Sequence, residues 1–257
     1  MAELAVRAAN KVRRVLTGAM SRRPFALAAA RPCISFTFDD FPASASRVGG
    51  AILEEHGFAG TFYLSMGLLG RESPSGRIAD AGDVQHAVRR GHEIGCHTLD
   101  HQDGTVARPA DYLASIDANQ DAFQGLVPGG RMASFAYPLD GPGVGVKAAV
   151  KDRFRTLRAG GQTFNTGTID LAMLKSYFLD ARTDGEMDAV RALIDANARA
   201  RGWLVFATHD VAERPSRYGC SIERFREVVD LARRSGAFVG SVAQVSDEVG
   251  VPAPVAA

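Results

Sequence analysis

The chain has 257 residues, 46% hydrophobic and 23% charged, with a net charge of +1, which excludes a disordered or fibrous polypeptide and suits one large α/β domain or two small ones. The near balance of charge leaves no broad basic face, so nucleic acid is excluded as a partner beyond the N-terminus. Cys33, Cys96 and Cys220 form no CxxC pair, so neither a disulfide framework nor a structural zinc knuckle is signalled, and free thiols in a reducing compartment are the plain expectation.

In chain order, the first 23 residues set Arg7, Lys11, Arg13, Arg14, Arg22 and Arg23 against a single acid, Glu3. Leu4, Ala8, Val12, Val15 and Leu16 follow a helical period, so residues 1–30 read as a basic amphipathic segment. Such a segment either lies on an anionic membrane surface or packs on the domain as a terminal helix, and the Ala-rich stripe favours the second. "SRRPFAL" is similar to a twin-arginine export signal, but the apolar stretch after it, 24–30, is barely long enough for a signal core and stops at Arg31. No run is long enough to span a bilayer. The expectation is a cytoplasmic protein, with the inner membrane surface as the alternative place for this segment, followed by one domain over 31–250 and a tail over 251–257.

Short β-type runs then alternate with helical patterns, which predicts βα units around a parallel sheet. The predicted strands are 33–38, 60–65, 93–97, 134–137, 156–158, 175–179, 203–208 and 238–242. Met187, Val190, Leu193, Ile194 and Ala198 keep one helical face; Phe225, Val228, Val229 and Ala232 keep another behind a Ser221 N-cap. Residues 128–130 and 160–168 are sharp breaks, yet no repeat or linker divides the chain. Seven or eight such units predict a barrel in the manner of the eight-fold one, complete, distorted or incomplete, with its chemistry at the C-terminal strand ends. The polar residues at those ends are Asp39 and Asp40, His97 and His101, Tyr137 and Asp140, and His209 and Asp210.

"HTLDH" sets His97 and His101 four apart, and on a helical turn both imidazoles would fall on one side, within reach of one divalent ion. Two surface histidines also occur at that spacing by chance. Asp40 adds a carboxylate from the neighbouring rim and would complete a two-histidine, one-carboxylate set. The bland reading of Asp39 and Asp40 is a helix cap or turn; the functional one lets Asp40 hold the ion while Asp39 stays free to take a proton. His209 alone is more often a satisfied polar residue than a catalyst, and it gains weight only beside the metal set.

"TFDD" (37–40), "HTLDH" (97–101), "FAYPLDG" (135–141) and "FATHD" (206–210), supported by "GTFYL" and "GHEIGCHT", resemble in order and spacing the motifs of the polysaccharide deacetylase family, the NodB-homology or carbohydrate esterase 4 group. The resemblance covers about 32–245. It implies a distorted (β/α)7 barrel that removes N-acetyl, less often O-acetyl, groups from a glycan with one divalent ion, Zn²⁺ being expected. By the same resemblance Asp39 is the general base, Asp40, His97 and His101 hold the ion, and His209 is the general acid. The backbone amide of Tyr137, with Pro138 and Asp140 beside it, would hold the oxyanion and substrate.

The chain departs from that pattern at Phe41, which replaces a glycine and would narrow the rim or make it more apolar. The arginine of the third motif is absent, "FAYPLDG" resembling instead a YPYG-type branch, and the fourth motif has no match. Arg158 or Lys175 could supply charge there, or be ordinary surface cations. Phe38, Phe62, Phe135, Trp203 and Phe206 read as core rather than sugar-stacking residues; Cys96 points away from His97; His56, His86 and His92 read as surface or packing residues. The expected substrate is a sugar of an envelope glycan or of its intracellular, lipid-linked precursor. A same-fold hydrolase of another C–N bond, such as a cyclic amide or ureide, and a non-catalytic metal-dependent carbohydrate binder remain open. The sequence sets no oligomeric state.

Overall fold

Strand β2 (Cys33–Phe38) is buried at all six positions, because its two faces meet two different cores. Ile34, Phe36 and Phe38 join the large apolar layer between sheet and helices, whereas Cys33 joins Trp203, Val205, Leu171 and Leu174 in a second cluster. Ser35, Thr37 and then Asp39 come after Cys33 at two-residue steps on that second face. In the computed structural model, which describes residues 16–139 and 141–254, β2 lies between two parallel neighbours, β3 (Thr61–Leu64) and β11 (Trp203–Thr208). Beyond β3 come β6 (Glu93–Cys96), β7 (Ser134–Ala136) and β8 (Thr156–Arg158); beyond β11 comes β10 (Tyr177–Phe178).

These seven strands curl into the distorted (β/α)7 barrel that the resemblance implies. Closure runs through residues 171–174. The Leu157 N–H donates to the Leu171 carbonyl at 2.8 Å, the Leu174 N–H to that of Leu157 at 2.7 Å, and the Ala159 N–H to that of Leu174 at 2.9 Å. The predicted strand 175–179 is therefore short: the Asn165 carboxamide takes both backbone groups of Lys175, so pairing begins only at Tyr177. The predicted strand 238–242 also ends early, as the two-residue strand Phe238–Val239. Ser241 and Gln244 form a capping box that starts a helix, Val242–Glu248.

The Met187–Ala200 and Ile222–Arg234 helices occupy the expected spans, the latter capped by Ser221, whose hydroxyl accepts from the Arg224 N–H at 3.3 Å. Phe38, Phe62, Phe135, Trp203 and Phe206 are all buried core residues. The three cysteines are free and buried. His92 is a packing residue, accepting from the Gly60 N–H at 3.0 Å and facing Glu54 with its other nitrogen. Among the described residues no helix is long and apolar enough to cross a membrane.

The apolar stripe at Leu4, Ala8, Val12 and Val15 lies outside the described residues. The segment C-terminal to it is tied to the barrel. Strand β1 (Pro24–Ala26) pairs antiparallel with β9 (Thr168–Asp170). The Arg23 guanidinium caps the chain after the Val144–Val150 helix, donating to the carbonyls of Lys151, Phe154 and Arg155 at 2.5, 2.6 and 2.9 Å. Lys147, fully buried, donates to the Thr17 and Met20 carbonyls and to Asp170 Oδ2 at 2.7 Å. Removing one member of a buried ion pair strands the other. Asp170→Ala should therefore cost about 3–5 kcal/mol in urea unfolding, and Lys147→Met combined with Asp170→Leu much less; equal losses in the two variants would show that the charge pair is not what ties the segment down.

Candidate active site

The Asp39 N–H donates to the Thr208 carbonyl at 2.8 Å, so Asp39 is still in register with the sheet. At Asp40 the backbone turns left-handed, with φ 60°, and at Phe41 it stays so, with φ 50°. The two neighbouring carboxylates thus part company. Asp39 enters the barrel interior and forms an ion pair with Arg158, at the end of β8; Arg158 also donates to Ser176 Oγ at 3.1 Å and lies 5.2 Å from the Tyr63 ring centroid. The buried Arg158 is thus an ion-pair partner of Asp39, not a surface cation.

Phe41 does not line the rim, contrary to expectation. Its ring is fully buried, 4.6 Å from that of Phe62. A left-handed phenylalanine costs on the order of 1–2 kcal/mol, and burying its ring returns about 1.5–3 kcal/mol, so the turn is held by the core beneath it.

Asp40 faces the histidines. Its Oδ1 lies 3.5 Å from His97 Nε2 and 3.2 Å from His101 Nε2, and the three residues can each offer one ligand atom within 4.8 Å of the others. The helical turn expected at "HTLDH" does not form. His97 comes directly after the end of β6, and Thr98 and His101 both take positive φ, 61° and 57°. Thr98 Oγ1 accepts from the Gln102 N–H, Ser115 Oγ accepts from the Leu99 N–H, and the Leu99 carbonyl accepts from the Gly67 N–H at 2.8 Å. Only glycine fits at 67, since a Cβ there would stand 2.6 Å from the Leu99 oxygen.

These residues fit a divalent cation. Asp40 Oδ1 is buried with no hydrogen-bond donor. His97 Nδ1 meets the Ala136 carbonyl at 2.8 Å, and a carbonyl only accepts, so Nδ1 carries the proton and Nε2 presents its lone pair toward Asp40. Burial opposes the charge on Asp40, yet the nearby His97, helped by His209 and His101, holds its carboxyl well below the usual range. Burial, with the neighbouring His97, pushes His101 down to about 4, keeping its imidazole neutral at neutral pH.

His209 stands across the same site, its Nε2 3.9 Å from Asp40 Oδ2. Its other nitrogen, Nδ1, meets the Tyr218 carbonyl at 3.2 Å, so a backbone oxygen orients the ring in place of a fourth-motif side chain. Asp210 turns away to accept from the Ser216 N–H at 2.7 Å and the Ser216 hydroxyl at 2.5 Å. The Tyr137 amide does not fit the role of oxyanion donor. It donates to the Arg158 carbonyl at 3.0 Å, and the Tyr137 hydroxyl donates to the Ala172 carbonyl. Pro138 is buried and has no N–H to give; Asp140 lies outside the described residues. The next amide, that of Leu139, has no backbone acceptor among the described residues, and its residue takes φ 57° at the exposed mouth.

A family model described as polysaccharide deacetylase matches residues 27–152, spanning Asp39, Asp40, His97 and His101. That matched stretch belongs to the polysaccharide deacetylase family. No curated protein matches it. Among solved structures the chain is similar to a chitin deacetylase from the fungal pathogen Colletotrichum lindemuthianum (TM-score 0.61, 16% identity, 88% of this chain and 91% of that one). It is similar too to the carbohydrate esterase 4 domain of a multidomain xylanase from the hindgut metagenome of Trinervitermes trinervoides (0.60, 19%, 88% and 94%). A family 4 acetyl xylan esterase from Clostridium thermocellum, solved with a cobalt ion, gives 0.58, 20%, 86% and 94%.

The depressed His101 makes the metal-free fold acid-sensitive. The unfolded chain binds that proton near pH 6.5 and the folded chain only near 4. Between those values the unfolded state holds more protons, so stability is present above the window and lost as pH falls through it. The urea midpoint of the metal-free protein should fall from pH 6.5 to 4, and His101→Gln should flatten that stretch of the curve; an equally steep curve in the variant would remove His101 as the cause.

Proposed function

We propose that this chain is a metal-dependent hydrolase of the polysaccharide deacetylase family that removes an N-acetyl group from a sugar of an envelope glycan or of its intracellular precursor. The observation that carries this reading is the split of the adjacent acids, Asp40 grouped with two histidines and Asp39 held apart on Arg158. When bound by Asp40, His97 and His101, a divalent cation, with Zn²⁺ the expected one, polarises the acetyl carbonyl and acidifies the attacking water. The cobalt ion in the Clostridium thermocellum esterase structure is in keeping with a borderline divalent ion.

The chain's own groups do the rest. Asp39 is fixed through Oδ1 by the guanidinium, so Oδ2 is the oxygen left to take a proton from the water. The Leu139 N–H is the amide available to the developing oxyanion, in place of the committed Tyr137 amide. His209, with Nδ1 held by the Tyr218 carbonyl, turns Nε2 toward the site and can protonate the departing amine. Base and acid come from different strand ends, β2 and β11, so they approach the scissile bond from separate directions.

The test is acetate release from N-acetylglucosamine oligomers, nucleotide sugars and lipid-linked sugars, with metal content measured alongside. Asp39→Asn should lose about 10²–10⁴-fold in turnover while keeping its zinc; wild-type protein that binds metal yet releases no acetate from any of them would end the deacetylase reading. Arg158→Met should lower kcat about 10²-fold by letting Asp39 drift. Arg158→Lys should not restore it, since an ammonium cannot reproduce the guanidinium's hold on Asp39 and Ser176 together; full activity in the lysine variant would reduce Arg158 to a point charge.

A further inference from the structure

Between β3 and the Ala81–Arg89 helix the chain makes a small hairpin, β4 (Glu72–Ser73) and β5 (Gly76–Arg77). Arg71, Glu72, Pro74, Gly76 and Arg77 are all exposed, yet Ser75, at the turn, is 1% exposed. Two strands of two residues cannot hold themselves together. The hairpin is rooted instead in the turn just after Asp40: the Ala79 N–H donates to the Phe41 carbonyl at 2.9 Å, and Ile78 bridges antiparallel to Pro42.

That root carries Ser75 to the metal-binding carboxylate. Ser75 Oγ lies 3.4 Å from Asp40 Oδ2, the oxygen turned away from His97 and His101. Its other hydroxyl neighbour is Ser73 Oγ at 3.0 Å, which donates its own proton to the Gly76 carbonyl at 2.7 Å and accepts the Ser75 N–H at 3.1 Å. The Ser75 proton therefore has two acceptors in reach, and the ionised carboxylate is the stronger. On its other side Asp40 Oδ2 faces His209, at 3.9 Å.

We propose that Ser75 is a positioning residue for the metal site: its hydroxyl holds Asp40 Oδ2 so that the carboxylate offers the ion Oδ1 alone, which makes the hairpin a working part of the site. The inference rests on the metal-site reading above. A carboxylate left free at its second oxygen can swing to grip a cation with both, filling a position that water or the acetyl oxygen needs.

The experiment is a titration of the metal-free full chain with Co²⁺ and with Zn²⁺ against a chromophoric chelator, for wild type and Ser75→Ala, with the visible spectrum of the cobalt form and the urea midpoint of each metal-free protein. The expected result for Ser75→Ala is a dissociation constant raised about tenfold for both ions, altered cobalt bands, and a wild-type urea midpoint without metal. Unchanged affinity and cobalt bands overturn the proposal, as does a lowered midpoint with unchanged affinity, which would make Ser75 only a hairpin residue. Should the wild type take up no cobalt, or Asp40→Asn take it up equally well, the metal-site reading itself fails; normal wild-type uptake with an indifferent Ser75→Ala sinks only the role of Ser75.

Discussion

The site depends on one hydrogen bond and the turn after it. Because the Asp39 N–H is still paired with the Thr208 carbonyl, Asp39 continues the inward face of β2, where Ser35 and Thr37 precede it. One more extended residue would send Asp40 outward with Phe36 and Phe38, into the apolar layer under the helices. The left-handed turn at Asp40 and Phe41 prevents that. It puts the carboxylate over the barrel mouth and sends the Phe41 ring into the apolar layer instead. Adjacent residues of one type thereby occupy unlike environments, one paired with a guanidinium and the other facing two imidazoles.

The same device recurs around the mouth. Of the eight non-glycine residues with positive φ among those described, five are Asp40, Phe41, Thr98, His101 and Leu139. Unfavourable backbone conformations are compensated nearby: Phe41 by burial, the 97–101 loop by Ser115 and by the close approach of Gly67. Strain gathered where loops leave the strands is what a rigid scaffold can sustain and a free loop cannot.

These particulars also decide how far the sequence could be read. The cluster of Asp40, His97 and His101 was legible because these residues sit at strand ends that the alternation of βα units locates, and because their order resembles a known family. "HTLDH" gave the right neighbours through the wrong conformation: two left-handed residues, one of them the β-branched Thr98, bring the imidazoles together with no helix at all, and propensity argues against such a loop. Arg158 and Lys175 stand out equally in the sequence, but the ion pair of Arg158 with Asp39 joins residues 119 apart and arises only when residues 171–174 close the barrel. The partner of His209 had no sequence signal, since a backbone carbonyl carries none. The helix capped by Ser241 was within reach, the reciprocal Gln244 standing three residues on.

Arg158 and Asp39 also show what the barrel interior is used for. A buried ion pair contributes little net stability, since desolvation of both groups offsets their attraction, and apolar replacements of equal volume are often as stable. Cys33, Trp203, Val205 and Leu174 supply such an apolar filling in the same chain, toward the N-terminal ends of the strands. The change from that filling to Asp39, Arg158 and Ser176 comes where β2 and β8 reach the mouth. Stability would favour carrying the apolar plug to the top. Stopping it short keeps a carboxylate in a dry, fixed geometry beside the histidine cluster, with the Tyr63 ring and Ser176 limiting where the guanidinium can go. The polar top of the barrel is therefore best explained by the chemistry done there, and the apolar lower half by the need to hold it still.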